Sequence, residues 1–422
     1  MSTQKLKIGL LGCGTVGRGL VELVHRNDAL IRQRTGVELG ITKILVRDLA
    51  KERVGVDRSL LTTNPRDVLD NGCDMVVEVI GGIEPARGFI QHSLARKKHV
   101  VTANKALLAQ DGFKLMKSAE THQVCLGFEA SVCGGIPIIR ALRSGLVGNN
   151  IQQLSGILNG TCNYILTRMT EDRMSFDAAL CEAQAKGFAE ADPTLDVDGH
   201  DAAQKLKILT ELAFNARVSG DSIPVEGIRD ITLDDIEAAA ELGYVIKHVA
   251  AAEVINGAVA LRAAPVLLPK AHQLASVHEE NNAVLVRGDA VGEMLFSGKG
   301  AGSLPTASAV LSDVVDIARH KNRFSTRSGG RLSGGAADRD SKYFIRFVVR
   351  EPSAIGRIAT VFDRHGVEVN RAAAVWAGSV HVNHQVRLLT HSSSRKALET
   401  ALKAVGQLKL EAGRNLVLRV AD

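Results

Sequence analysis

The chain has 422 residues and a mass of 45.0 kDa, too long for one compact core, so two or three domains are expected. Its 45% apolar and 23% charged residues describe a globular protein and exclude a disordered or fibrous one. The net charge of +6 raises the question of a nucleic-acid partner, but basic residues are scattered among nearly as many acidic ones and aromatics are only 4%, so none is expected.

Lys5 to Leu11 reads as a first strand, followed by Gly12-Cys-Gly14-Thr-Val-Gly17 and a helical run from Arg18 to Leu30. Ile41 to Val46 reads as a second strand ending at Arg47-Asp48, and Met75 to Ile80 as another, stopped by Gly81-Gly82. Val100-Val101 closes a further strand before Thr102-Ala-Asn104-Lys105 and a helix through Ala119. Strands alternating with helices at this spacing imply a Rossmann-type, doubly wound parallel α/β sheet.

After about residue 140 the rhythm changes to mixed α+β. Asn159-Gly160-Thr161 precedes a helix, and Glu171 to Gly187 reads as one amphipathic helical stretch. An acidic loop from Glu190 to Gly199 leads into a helix from about His200 to Phe214. Thr232 with Asp235 is an N-cap pair, predicting a helix from there to about Ala252. Short β-like runs follow over 257–296, then a helix over Pro305 to Val315 expected to return to the first domain. Asn322 to Ser341 is polar and Gly/Ser/Arg-rich and reads as a linker. Beyond it a βαββαβ order, starting at Tyr343, predicts a separate small ferredoxin-like domain. The division expected is 1–140 with 303–322, 141–302, a linker over 323–341, and 342–422.

Gly12, Gly14 and Gly17 satisfy G-x-G-x-x-G between a strand and a helix, the context in which glycines permit a tight turn and close approach to a pyrophosphate. At the end of the second strand, Asp48 suits a free ribose diol and Arg47 the extra phosphate of NADP; NADP is favoured, with NAD left open. Lys105 follows a strand end, where open α/β sheets hold their ligands.

In Asp198-Gly-His-Asp201-Ala-Ala-Gln-Lys205, one helical turn separates Asp201 from Lys205, placing an anion and a cation on one face. Ala202, Ala203 and Leu206 suit that helix to burial, and a desolvated lysine suits proton transfer; an ordinary i,i+4 ion pair is the bland alternative. The acidic loop has the rhythm of a calcium hand, but its twelfth position is Lys205 rather than glutamate, so calcium is not expected. Most of its carboxylates read as a solvated, helix-capping loop. None of the thirteen histidines sits in H-E-x-x-H or a triad-like setting. Cys133 in Cys-Gly-Gly-Ile-Pro is either a thiol nucleophile or, by the preferred reading, a small residue in a glycine-rich turn. The six cysteines form no C-x-x-C pair and suit reduced thiols, so no structural zinc is expected. The chain shows no secretory signal and no apolar run of the ~18 residues that span a bilayer, and a cytoplasmic protein without membrane contact is expected.

These runs, together with Glu78-Val-Ile-Gly-Gly82, Glu129 to Pro137, Ala185 to Asp192 and Gly300-Ala-Gly302 before Pro305-Thr306, resemble homoserine dehydrogenase across essentially the whole chain. The resemblance implies reversible NAD(P)-dependent interconversion of L-homoserine and L-aspartate 4-semialdehyde, in threonine, methionine and isoleucine biosynthesis. It implies that Lys205 exchanges the proton at the reacting oxygen and that Lys105 is a second active-site lysine. Glu190, Asp201, Gly160 and Thr161 correspond to substrate-binding positions. Gly12, Gly14, Thr15, Val16, Gly17, Arg47, Lys105, Gly187 and Gly302 correspond to cofactor-binding positions. Glu129, Val132, Gly134 and Ile136 match a loop that holds a monovalent cation, Na⁺, largely through backbone carbonyls. Phe188 stands where some members have tyrosine. No kinase-like segment precedes Gly12, so a monofunctional enzyme is expected.

The final βαββαβ unit resembles an ACT domain, which implies inhibition by L-threonine. Its usual P-G-V-L turn reads Pro352-Ser353-Ala354-Ile355 here. A homodimer or homotetramer is expected. Two other readings stay open: a semialdehyde dehydrogenase with an essential thiol, and a non-catalytic dinucleotide-sensing regulator on the same fold.

Overall fold

Apolar runs punctuated by glycine and by capping residues give the elements of the first third. They are β1 (Gln4–Leu11), α1 (Thr15–Arg26), α2 (Asp28–Thr35), β2 (Val37–Leu45), β3 (Leu61–Thr62), α3 (Arg66–Leu69), β4 (Met75–Glu78), α4 (Ala86–Ala95), β5 (His99–Thr102), α5 (Lys105–Thr121) and β6 (Leu126–Gly127). The computed structural model describes residues 4–218, 223–320, 334–335, 339–376 and 384–421. The chain divides into two compact units, one of residues 1–154, 204–220 and 281–333, the other of 155–203, 221–280 and 334–422.

In the first unit six parallel strands lie in the order β3-β2-β1-β4-β5-β6. The order reverses between β1 and β4, and ligands of such sheets sit beyond the strand C-termini at that switch point. Leu20, Val21, Leu23 and Val24 make one buried face of α1, as period-3.6 spacing requires. The helical run expected to Leu30 breaks at Asn27, after which α2 buries no side chain. One face of the sheet packs Ile8, Leu10, Ile44 and Val77 with Leu20 and Val24 and with Ala307, Val310, Val314 and Ile317.

The remaining elements are α6 (Ile138–Arg140), β7 (Ile151–Ile157), α7 (Gly160–Glu171), α8 (Phe176–Ala185), α9 (Thr194–Val197), α10 (His200–Ala213), α11 (Leu233–Glu241), β8 (Tyr244–Ile255), β9 (Ala258–Pro269), β10 (Asn281–Gly288), β11 (Gly292–Lys299), α12 (Ser303–His320), β12 (Gly334–Gly335), β13 (Tyr343–Val349), α13 (Ala354–Arg364), β14 (Val369–Trp376), β15 (His384–Thr390), α14 (Arg395–Gln407) and β16 (Leu416–Val420). The helical stretch expected from Glu171 to Gly187 begins later than read: α7 ends at Glu171, and Ser175 caps α8 (Phe176–Ala185) anew by accepting from the Ala178 N–H.

The Thr232–Asp235 pair forms a full capping box, but the helix it opens stops at Glu241 instead of near Ala252. Gly243 turns the chain at φ +86°, and Tyr244–Ile255 becomes β8, paired antiparallel with β9 over its whole length. Ladder formation overrides the helix preference of Ala250-Ala-Ala-Glu253.

In the second unit β8, β9, β16, β13, β15 and β14 are successive neighbours in one sheet, mixed in direction. The βαββαβ order from Tyr343 is present, with α13 and α14 packed on Ile345, Phe347 and Leu388. It does not stand apart from the middle region. β16 pairs in parallel with β9 through Arg419 and Val266, and Phe344, Leu416 and Leu418 share a core with Ile236, Ile246 and Leu267. The stretch read as a linker lies largely outside the described residues.

Candidate active site

The glycine turn is built as its sequence demands. Gly12 has φ +103°, and a Cβ there would stand 2.9 Å from the Val79 carbonyl oxygen. A Cβ on Gly17 would stand 2.3 Å from the Gly12 carbonyl oxygen, so neither position admits a larger residue. Gly14 instead faces open space, with nothing within 4 Å of the point a Cβ would occupy. Thr15 and Val16 open α1 directly behind it, so their end of the helix presents N–H groups and a positive dipole end to that space. Ser303, the first residue of α12, donates from its hydroxyl to the Thr15 carbonyl at 2.7 Å. That bond brings Gly302, at φ +115°, to the same turn.

The neighbouring strand ends are held by Glu78, which is fully buried. Its Oε1 accepts from the Ile80 and Gly81 N–H groups, and its Oε2 accepts from the Thr102 hydroxyl at 2.5 Å. Thr102 accepts in turn from the Asn104 N–H, and the Asn104 amide donates to the Gly82 carbonyl and caps α5 through the Leu107 N–H. Lys105 is the first residue of that capped helix. A buried, hydrogen-bonded carboxylate therefore fixes the origin of the lysine's helix.

In the second unit, Asn159 caps α7, whose first two residues are Gly160 and Thr161. Its Oδ1 accepts from the Cys162 N–H at 2.8 Å, and its Nδ2 donates to Asp196 Oδ1 at 2.7 Å and to Asp201 Oδ2 at 2.9 Å. Thr161 donates from its hydroxyl to the Phe188 carbonyl at 2.7 Å, with Asp196 Oδ2 at 3.4 Å. Phe188 packs its ring 5.0 Å from that of Tyr164. Thus Asp201, Thr161 and Gly160 are brought together, with Asn159 and Asp196 between them.

Helix α10 carries Asp201 (3% exposed) and, one turn on, Lys205 (9% exposed), beside the fully buried Ala202 and Leu206. Ahead of the helix, Gly199 has φ +86°, and a Cβ there would stand 2.8 Å from His248 Nε2. His248 donates from Nε2 to the Glu226 carbonyl. Its pKa is lowered to about 4, first by burial, with the Glu226 carbonyl and the Asp201 charge opposing that effect.

The loop from Glu129 to Ile136 lies in the first unit. Cys133 and Gly134 are both left-handed, at φ 56° and 44°, and a Cβ on Gly134 would stand 2.5 Å from the Gly300 carbonyl oxygen. Glu129 is buried, and its carboxylate accepts from the Ile139 and Arg140 N–H groups at 2.7 and 2.8 Å. Burial, with Asp313 nearby, raises its pKa to about 7 despite those donors. Cys133 is only 1% exposed, a poor setting for a thiol nucleophile.

Three other predicted positions, Glu190, Gly187 and Arg47, lie at the surface. Glu190 is exposed, and its carbonyl accepts from the Gln184 amide. Gly187 ends α8 in the left-handed conformation. Arg47 is exposed; Asp48 accepts from the Ala50 N–H, and its carbonyl accepts from Arg53. Within the acidic loop, Asp192 caps the Thr194 N–H and Asp198 pairs with Arg229, as a capping loop would. Sequence reasoning missed Glu78, Asn104, Asn159 and Asp196 as site-forming residues. The capping positions of both asparagines were the available signal.

Two family models match the chain: "Homoserine dehydrogenase, NAD binding domain" over residues 12–129 and "Homoserine dehydrogenase" over residues 137–315. The homoserine dehydrogenase of Bacillus subtilis is 38% identical over 416 residues, covering 96% of each chain. The crystal structure of a homoserine dehydrogenase from Thiobacillus denitrificans superposes with a TM-score of 0.92 at 38% identity, covering 99% of each chain. A hyperthermophilic archaeal homoserine dehydrogenase mutant, solved in complex with NADPH, has a TM-score of 0.65 at 27% identity and covers 76% of this chain and 100% of its own.

Proposed function

The chain belongs to the homoserine dehydrogenase family, enzymes that interconvert L-homoserine and L-aspartate 4-semialdehyde with a nicotinamide cofactor, and we propose that Lys205 exchanges the proton at the reacting oxygen. One observation carries this reading: a lysine only 9% exposed, one helical turn beyond the buried Asp201, on a helix otherwise suited to burial. In a desolvated setting an ammonium stabilises developing negative charge on oxygen and delivers a proton to it. Lys105, at the capped start of α5, is the second lysine of the site. Asp201 and Glu190 recognise the substrate's ammonium group, with Gly160 and Thr161 lining the same pocket. Replacing Lys205 with Ala is expected to lower kcat by about 10²–10⁴ while cofactor affinity changes little. Near-normal turnover by the folded variant overturns the assignment.

The open space before Gly14 and the N-terminus of α1 fit a dinucleotide's pyrophosphate. Gly12, Gly14, Thr15, Val16, Gly17, Gly187 and Gly302 would hold the cofactor, which supplies the hydride acceptor or donor when bound. NADP is the favoured form: the exposed Arg47 suits an added phosphate, and the NADPH complex of the archaeal relative supports this choice. Because the Glu129 carboxylate is engaged by two N–H groups, the Na⁺ reading of Glu129, Val132, Gly134 and Ile136 rests on their backbone carbonyls, neutral oxygens that suit a hard cation.

The βαββαβ portion is assigned as an ACT-like regulatory module responding to L-threonine. Ser353 lies in the right-handed helical region (φ −57°), so the backbone there has no need of the family's glycine. A cytoplasmic homodimer or homotetramer in threonine, methionine and isoleucine biosynthesis completes the reading. None of the six cysteines is in a disulfide, which suits a reducing compartment, and among the described residues no helix is long and apolar enough to cross a membrane.

A further inference from the structure

The Asn159 side chain is 3% exposed and uses both faces of its amide: one oxygen caps α7, and one nitrogen donates to two carboxylates. This network admits only one orientation, since a flipped amide would aim its oxygen at two carboxylates and its N–H groups at a backbone N–H. The two N–H bonds of an amide diverge, so one nitrogen can serve two separate carboxylates, here Asp196 and Asp201. Two carboxylates drawn to one nitrogen repel each other, and the donor between them offsets that repulsion. Asp196 is fixed further by Thr161, and its carbonyl accepts from the Cys162 thiol, so α9 is tied to the start of α7.

We propose that Asn159 is a positioning residue for the reaction: by bridging Asp196 and Asp201 it aims the Asp201 carboxylate at the substrate and keeps it ionised. The inference rests on the reading of Asp201 as a substrate carboxylate. Charged and titratable groups around Asp201 include Asp196 from α9, which shares the Asn159 amide with it, and His248 from β8, which feels its charge, while Lys205 follows one turn on along its own helix. Of the contacts described, Asn159 supplies the neutral donor that serves both acids at once. Serine is the informative replacement, because its hydroxyl still caps α7 while both amide donors disappear. Aspartate also keeps the cap but adds a third carboxylate.

The test measures kcat/KM for homoserine against pH at saturating cofactor, on the full chain, for Asn159→Ser, Asn159→Asp and Asp201→Asn. Loss of the donors raises the carboxylate's pKa, so the acidic limb of the profile moves to higher pH. Asn159→Ser is expected to lose about tenfold and Asn159→Asp about a hundredfold in kcat/KM, chiefly through KM for homoserine, with KM for the cofactor within about twofold of the parent. Asn159→Ser should melt within a few degrees of the parent. If Asp201→Asn is crippled while both Asn159 variants keep the parental kcat/KM and acidic limb, the inference fails and the site reading stands. A loss that follows thermal stability and affects both substrates equally also overturns it. If Asp201→Asn is itself unimpaired, the reading of the site falls first.

Discussion

The Ser303 hydroxyl reaches the Thr15 carbonyl across 288 positions of sequence, joining the residue after Gly302 to the glycine turn. Beneath this bond α1 and α12 are in close contact: a Cβ on Gly19 would stand 2.7 Å from Ser303 Oγ and 2.9 Å from its carbonyl oxygen. Gly19→Ala is therefore expected to push the helices apart and cost ~1–3 kcal/mol, as overpacking does. Ser303→Ala removes one hydrogen bond, and a net ~0.5–1.5 kcal/mol corresponds to roughly two- to thirteenfold weaker cofactor binding. Fluorescence titration of NADPH against both variants checks this, with unchanged affinity in both counting against a cofactor role for Gly302.

Gly134 is pinned by backbone rather than by side chains, because the Gly300 carbonyl occupies the place of its missing Cβ. Alanine there would meet both the left-handed φ and that oxygen, at an expected cost of ~2–4 kcal/mol. If the loop holds Na⁺ through its carbonyls, the variant should also lose any stimulation of activity by NaCl over choline chloride. Urea unfolding and paired salt titrations separate the two effects. Parental stability in Gly134→Ala would show that the loop can relax.

Much of this architecture is legible in the sequence because local chemistry dictates it. A turn that admits only glycine at Gly12 and Gly17, and a Thr232–Asp235 box that caps a helix, are decided within a few residues. β8 reads as helix because its partner β9 lies beyond it in the chain, and an Ala-rich run carries no mark of a coming ladder. Asn159 and Asp196 do not declare themselves for a similar reason: 37 residues separate them, and only the fold converts a helix cap and a loop acid into one network. The C-terminal repeat of strands and helices is readable, whereas its shared core with Ile246 and Leu267 is not, since Phe344 and Leu418 look like any buried strand residues.

His248 gives the protein an acid sensitivity whose sign follows from burial. Its folded pKa of about 4 lies below the ordinary value of 6.5, so the unfolded chain binds the extra proton between those values. Stability from this group is thus complete above about pH 6.5 and is lost as pH falls towards 4. The full difference is about 3 kcal/mol at ~1.4 kcal/mol per unit. His248→Leu should flatten that part of the profile. Comparing urea midpoints of parent and variant at pH 5 and pH 7.5 tests it: the parent must lose more on acidification. Parallel profiles would place the acid response elsewhere.

The C-terminal module is expected to be a working part of the second unit's core. Arg346 on β13 donates to Asp235 at 2.9 Å and to the Thr232 hydroxyl and Asp230 carbonyl, and both charged side chains are at most 6% exposed. Arg346→Met would leave Asp235 buried without its cation, at an expected cost of ~3–5 kcal/mol. Deleting residues 340–422 goes further, stripping β16 from β9 and removing Phe344, Leu416, Leu418 and Val420 from the core around Ile246 and Leu267. The truncated chain should therefore melt well below the parent or fail to stay soluble, so any loss of threonine response in it would report damage to the fold. Threonine inhibition is better tested in the full chain with Ser353→Gly, whose backbone accepts either residue. A truncated protein with parental melting temperature and homoserine turnover would show that these strands are dispensable to the unit they share.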